Sequence, residues 1–228
     1  MAEIFRRVEK KYIINKEQYE KLLPEFKKYM NEDQYGKSTI CNIYFDTDQY
    51  DLIRHSITKP YFKEKVRVRS YNTPKNDTKV YLEIKRKCNK VVGKRRIEMT
   101  MGEFKQYLKN PNSLKNVNEQ IKKELDYTFK YYGLKPTMYL SYSRNAYYQK
   151  DNMDFRATFD NNVLARTEDL NLESGSYGTD ILGEDYYILE IKTLGSIPMW
   201  FVRLINEIGI KPRKLLKIWR SIWTTNYE

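Results

Sequence analysis

Lys65, Arg67 and Arg69 alternate with Val66 and Val68 in the stretch Lys65-Val-Arg-Val-Arg-Ser-Tyr71. In a strand, that spacing places three cations on one face and the valines on the other. The pattern returns along the chain. Val80-Tyr-Leu-Glu-Ile-Lys-Arg-Lys87 sets Glu83, Lys85 and Lys87 against Leu82 and Ile84, and Val92 to Glu98 aligns Lys94, Arg96 and Glu98. Arg7, Glu9 and Lys11 share a face early in the chain, Tyr142 and Arg144 later, and Arg156, Thr158 and Asp160 after them. Tyr187-Ile-Leu-Glu-Ile-Lys192 repeats the Leu-Glu-Ile-Lys of residues 82–85 and aligns Glu190 with Lys192. Guanidinium forks and ammonium point charges are the groups that phosphate oxygens require. Glu9, Glu83 and Glu190, set among so many cations, are either internal salt-bridge partners or ligands for a hard divalent cation. Mg²⁺ or Mn²⁺ uses one or two carboxylates plus phosphate oxygens, and needs no histidine.

Taken singly, each such strand is the ordinary solvated face of an antiparallel sheet. Repeated over several strands, the pattern means that a wide sheet leaves one face to Lys and Arg, or that the strands curl around a polyanion. The second reading is preferred. About eight strands would close around a lumen wide enough for side chains or a slim ligand. Two unit charges about 4 Å apart repel by about 4 kcal/mol at an effective dielectric of about 20. Crowding Arg7, Lys11, Lys65, Arg67, Arg69, Lys85, Lys94, Arg96, Arg144 and Arg156 together is therefore unfavourable until a polyanion arrives.

The elements that must position these residues are legible at coarse grain. With 228 residues the chain suits one domain, residues 1–228, and no linker or long repeat divides it. Arg6–Ile14 reads as a strand, and Asn15 caps a helix over residues 16–30 that Pro24 kinks or shortens. Thr39–Asp46 reads as a strand, Ser56–Pro60 as a connection, and Asn72–Asp77 as the turn of a hairpin, with a second hairpin turning at Asn89 and Lys90. Helices are expected at Met101–Leu108 and at Asn118–Tyr132, the latter closed by Gly133. Strands follow over Met138–Tyr148, Met153–Asp160 and around Glu190. Residues 167–183 read as a loop, and an apolar helix opens at Pro198.

Forty-two Lys and Arg against thirty Asp and Glu give a formal charge of +12, enough to attract nucleic acid, anionic lipid or polyphosphate. A single histidine, His55, argues against a zinc site and against any His-based triad. Cys41 and Cys88 fit no metal spacing and no disulfide framework. With no signal peptide before Arg6, they read as free thiols of a reducing cytoplasm. No apolar run reaches the ~18–20 residues of a membrane helix, so a membrane role would need a partner. Nucleic acid is not expected, because the basic residues sit at strand period, without the exposed stacking platform of a groove binder.

The ordered set Arg7-x-Glu9-x-Lys11-Tyr12, Tyr44-Phe-Asp46-Thr47, Arg67-x-Arg69, Glu83-x-Lys85, Tyr142-x-Arg144, Arg156 and Glu190-x-Lys192 resembles the VTC (vacuolar transporter chaperone) polyphosphate polymerase domain. That domain belongs to the triphosphate tunnel metalloenzyme superfamily, alongside CYTH-type phosphatases, and the resemblance spans about Arg6 to Ile218. It implies an α+β fold: a closed antiparallel eight-stranded β-barrel, with helices packed outside. It also implies ATP-dependent, metal-dependent extension of inorganic polyphosphate, with Mn²⁺ or Mg²⁺ as cofactor. Lys11, Arg67, Arg69, Lys85, Arg144 and Arg156 are then expected to bind phosphates and Glu190, with Glu9, to hold the metal. Arg7, Lys65, Lys94, Arg96 and Lys192 extend the phosphate-binding set. Lys214-Leu-Leu-Lys217 matches the family's late Lys-Phe-Ser-Lys motif, with Leu216 at the serine position and Lys217 as the late lysine. The SPX and membrane modules of some relatives have no counterpart here. Hydrolysis of triphosphate or a nucleoside triphosphate on the same fold, and polyphosphate binding without catalysis, remain the alternatives.

Overall fold

The computed structural model describes residues 8–58, 61–89 and 91–212; Arg7 and Lys217 lie outside them. Among these, nine strands and five α-helices follow in chain order: β1 (Val8–Asn15), α1 (Lys16–Tyr29), β2 (Met30–Asp46), α2 (Asp51–Thr58), β3 (Phe62–Tyr71), β4 (Lys79–Cys88), β5 (Val91–Thr100), α3 (Met101–Lys109), α4 (Glu119–Tyr132), β6 (Lys135–Gln149), β7 (Arg156–Arg166), β8 (Thr179–Asp180), β9 (Tyr186–Thr193) and α5 (Met199–Glu207). The fold is α+β, built on an antiparallel sheet. None of the described helices is long and apolar enough to cross a membrane.

The strand order is β1-β9-β7-β6-β2-β3-β4-β5, with β8 pairing β7 off this path. This corrects the expected closed barrel: among the described residues no ladder joins β5 to β1. The edges account for it. On β5, Val91 is 73% exposed and Lys94, Arg95 and Arg96 are exposed, and charge along an edge strand discourages further pairing. On β1, Tyr12 makes an isolated bridge to Pro212, and proline has no N–H with which to extend a ladder.

The chain divides into two compact units, the first comprising Met1–Ser38, Tyr142–Val163 and Asp180–Glu228, the second Thr39–Ser141 and Leu164–Thr179. In the first, α1 begins at a capping box: Asn15 Oδ1 accepts from the Gln18 N–H at 2.8 Å, and Gln18 Oε1 accepts from the Asn15 N–H at 3.2 Å. The helix continues through Pro24 to Tyr29 and is not shortened. Its Leu22 and Phe26 pack with Phe201, Leu204 and Ile205 of α5 and with Ile14, Phe159, Leu189 and Ile191 of the strands. Full burial of each such side chain contributes about 1.5–3 kcal/mol.

In the second unit, the apolar faces of β3 and β4 (Val66, Val68, Leu82, Ile84) pack with Phe104 and Tyr107 of α3 and Leu125 of α4. Asn118 caps α4 by accepting from the Ile121 N–H, and Gly133 ends the helix at φ +62°. Helix α2 runs into the stretch that the sequence suggested was only a connection. Asp46 starts it, its carboxylate accepting from the N–H groups of Thr47, Leu52 and Ile53 at 2.8–3.0 Å. The polar stretch 167–183 is also more ordered than a loop. The Arg166 guanidinium lies over the Tyr139 and Tyr177 rings and donates to the carbonyls of Asp169, Asn171, Gly175 and Tyr177.

Candidate functional site

In the second unit, cross-strand register turns the alternating cations into a grid. Asn42 lies opposite Arg69 and Tyr44 opposite Arg67. On β4, Lys85, Glu83 and Tyr81 lie opposite Lys65, Arg67 and Arg69. Lys94, Arg96 and Glu98 of β5 complete the rows. Glu83 is at the centre and only 3% exposed. It accepts from Arg67 Nε at 2.8 Å and Nη2 at 2.7 Å, and from Lys94 Nζ at 2.5 Å. Burial pushes its pKa up, but Arg67, Arg69 and Lys94 more than offset that and hold the carboxyl below its ordinary value.

The grid's other groups are held by neutral partners. Arg67 Nη1 donates to the Tyr44 hydroxyl at 3.1 Å, and Arg69 Nε to Asn42 Oδ1 at 2.9 Å. Asn42 is itself fixed by donating to the Leu140 carbonyl. The Arg96 guanidinium lies 4.9 Å from the Tyr81 ring centroid. Burial, together with Lys63, Lys85 and Arg67, lowers the pKa of Lys65 against the opposing effect of Tyr44. The pKa of Lys94 is likewise lowered by burial and by Arg67 and Arg69, despite its bond to Glu83. A face that loosens the protons of two lysines is one that an anion would stabilise.

In the first unit, β9 runs between β1 and β7, with Glu190 opposite both Lys11 and Thr158 and Lys192 opposite both Glu9 and Arg156. Glu190, 5% exposed, meets Lys192 Nζ at 2.7 Å, Lys11 Nζ at 3.3 Å and Arg144 Nη2 at 3.9 Å. Burial raises its pKa, while Lys11 and Lys192 pull it further the other way, with Glu9 also interacting through its side chain; the carboxyl stays well below the usual range. Arg144 is clamped by Asp160 in a two-pronged pair, Nε to Oδ1 at 2.6 Å and Nη2 to Oδ2 at 2.7 Å, and lies 5.0 Å from the Tyr142 ring centroid. Burial lowers the Arg144 pKa, but the bond to Asp160 and the neighbouring charges raise it beyond its ordinary value.

The predicted residues thus gather as two sets. Lys65, Arg67, Arg69, Lys85, Lys94 and Arg96 share the face around Glu83, whereas Glu9, Lys11, Arg144, Arg156 and Lys192 share the face around Glu190. Arg156 is exposed and its Nε donates to the Met153 carbonyl at 3.3 Å. Two orienting residues were not singled out from sequence as part of a site. Asn42 carried no signal beyond alternation within Cys41-Asn-Ile-Tyr44. Asp160 was visible only as a neighbour in phase with Arg156.

Among the described residues no three His, Cys, Asp or Glu side chains gather as a metal site. Glu9 and Glu190 are carboxylates on the same face of the neighbouring strands β1 and β9, diagonally across their register. That donor set fits a hard divalent ion of the Mg²⁺ or Mn²⁺ kind, which keeps waters and takes most of its remaining ligands from substrate phosphates.

Comparison with known proteins follows the same lines. The family model described as the VTC domain matches residues 6–215. A crystal structure of a Bacillus halodurans protein named as a candidate adenylate cyclase is similar, at TM-score 0.57 and 16% identity, covering 91% of this chain and 92% of that one. A Hippeastrum protein, named as an adenylyl cyclase candidate and described as having a dominant triphosphatase activity, gives TM-score 0.54 and 16% identity over 95% of this chain and 96% of its own. At these identities the two structures show a shared fold alone. No curated protein sequence matches.

Proposed function

The chain belongs to the VTC domain family, and from that premise we propose that it is a metal-dependent polyphosphate polymerase, moving the γ-phosphoryl group of ATP onto a growing inorganic polyphosphate chain. The observation that carries the reading is the setting of Glu190: a carboxylate only 5% exposed, on a strand face whose charged neighbours are Lys11, Lys192 and Arg144. A hard divalent ion held against phosphate oxygens uses one or two such carboxylates.

Phosphoryl transfer asks a protein for alignment and charge neutralisation more than for covalent chemistry. Glu190 and Glu9 are the residues that would hold Mg²⁺ or Mn²⁺, which when bound would supply charge neutralisation at the transferring group. Lys11 and Lys192, beside Glu190, offer their ammonium groups to phosphate oxygens. Arg144, locked by Asp160, presents a guanidinium of fixed orientation, which spares the entropy of ordering it during the reaction. On the second unit, Arg67 and Arg69 are two residues apart on one face and grip successive phosphates of a chain. Lys65, Lys85, Lys94 and Arg96 extend the positive field of that face, and Arg156 adds to the positive field of the first unit's own face. Arg7 and Lys217 belong to the proposed set but lie outside the described residues.

The test is incubation of the purified protein with ATP and Mn²⁺, followed by electrophoresis that resolves polyphosphate. A ladder of chains lengthening with time is the expected result. Orthophosphate released without chain growth would overturn polymerisation in favour of hydrolysis, the activity described for the Hippeastrum protein. Neither product would leave a binding module.

A further inference from the structure

Three buried hydroxyls lack a hydrogen-bond partner among the described residues: Ser56 Oγ, Tyr139 Oη and Thr158 Oγ1. Ser56 belongs to α2, and Tyr139 lies beneath the Arg166 guanidinium. Thr158 differs in place. It lies on the charged face of β7 and is the cross-strand partner of Glu190, one pair along from Arg156 and Lys192.

A hydroxyl in that position is costly unless something bonds it. Leaving a buried polar group unsatisfied destabilises by about 1–3 kcal/mol. Valine has the same shape and an equal liking for strands, and would avoid the penalty. Glu190, its cross-strand partner, does not relieve it: the Thr158 hydroxyl makes no hydrogen bond to any described residue. The nearby Lys11, Lys192 and Arg144 carry donors only, so they offer nothing to accept the Thr158 proton. What is missing is an acceptor-rich group, and a phosphate oxygen is one.

We propose that Thr158 is a binding residue of this site, its hydroxyl donating a hydrogen bond to an oxygen of the phosphate chain bound beside Glu190. The inference rests on the polyphosphate reading and adds a neutral donor to a site otherwise built from charge. Such a donor contributes little to long-range attraction. It discriminates instead by distance and direction, favouring a phosphate seated against β7 over an anion held loosely by the cations.

The experiment is calorimetric titration of wild type, Thr158→Val and Thr158→Ser with tripolyphosphate, in chelator and again with Mn²⁺, at constant ionic strength. Melting curves of the free proteins accompany it. A hydrogen bond to a charged acceptor predicts a roughly tenfold weaker dissociation constant for Thr158→Val in both conditions, with Thr158→Ser recovering most of the loss. The free Thr158→Val protein should melt no lower than wild type, since an unbonded buried hydroxyl has been removed. Unchanged affinity in Thr158→Val, with or without a drop in melting temperature, overturns the proposal. A loss confined to Mn²⁺ also overturns it, by assigning the hydroxyl to a water on the cation. If wild type itself does not bind tripolyphosphate, the phosphate reading of the site falls as well. If wild type binds and Thr158→Val binds equally, only Thr158's role is lost.

Discussion

Glu190→Gln keeps the side chain's shape and removes the one negative charge at the centre of the first unit's site. Lys192, Lys11 and Arg144 then face an amide at 2.7, 3.3 and 3.9 Å where they had a carboxylate. Breaking a fully buried pair costs about 3–5 kcal/mol. Here the three cations are partly exposed and solvent screens them, so about 2 kcal/mol is the better figure. For a protein of this size that lowers the melting temperature by about 4–8 °C. Tripolyphosphate should return most of the loss, because it supplies the missing counter-charge. At about one hundred times its dissociation constant a ligand adds roughly 2.7 kcal/mol. Affinity for the anion without metal should hold or increase. Turnover should not recover, since the ion has lost its buried ligand. Differential scanning fluorimetry with and without tripolyphosphate, alongside Mn²⁺ titration of the rate, reads all of these. A variant that is merely less stable, with a wild-type dependence of rate on Mn²⁺, would refute the metal assignment. Glu190 would then be an internal counter-ion, and the reading would move from polymerase to binding module.

Asp160→Asn removes the charge that clamps Arg144 in two bonds. About a tenfold fall in kcat/KM is expected, roughly 1.4 kcal/mol, with a melting temperature lower by several degrees; wild-type kinetics would remove Asp160 from the site. Arg67→Ala and Arg69→Ala should each lower turnover at least tenfold, whereas Arg54→Ala, on the exposed side of α2, should not. Equal rates for the three would return β3 to a solvated face. The Glu83 carboxyl, lowered in the folded state, should make stability depend on acid. Its contribution is complete above the unfolded value of about 4.3 and is lost as pH falls below that towards the folded one. The melting temperature of wild type should therefore fall more steeply between about pH 5 and pH 3 than that of Glu83→Gln; identical slopes would contradict the pairing with Arg67 and Lys94.

Period-two alternation was enough to place the cations, because strand geometry leaves a side chain only two directions. Lys65, Arg67 and Arg69 had to share a face once β3 formed, and the hairpins at Asn72 and Asn89 brought Glu83 and Lys94 beside them. Helix boundaries were legible where a side chain does the capping locally, as Asn15 and Asn118 do, and α2 was missed because its cap, Asp46, sits five residues before the helix begins. Alternation is silent on register. That Glu190 meets Lys11 across one ladder and Thr158 across the other depends on which strands become neighbours, and β1 and β9 lie 170 residues or more apart in the chain. The same limit explains the barrel. Periodicity says that a sheet has a charged face; only the edges say whether it closes, and a proline opposite Tyr12 and the charged, exposed β5 leave this ladder open. Sequence therefore grouped the cations by face but did not name the groups that aim them. Asn42 and Asp160 act through a single cross-strand contact each, and such a contact leaves no period behind for a reader to find.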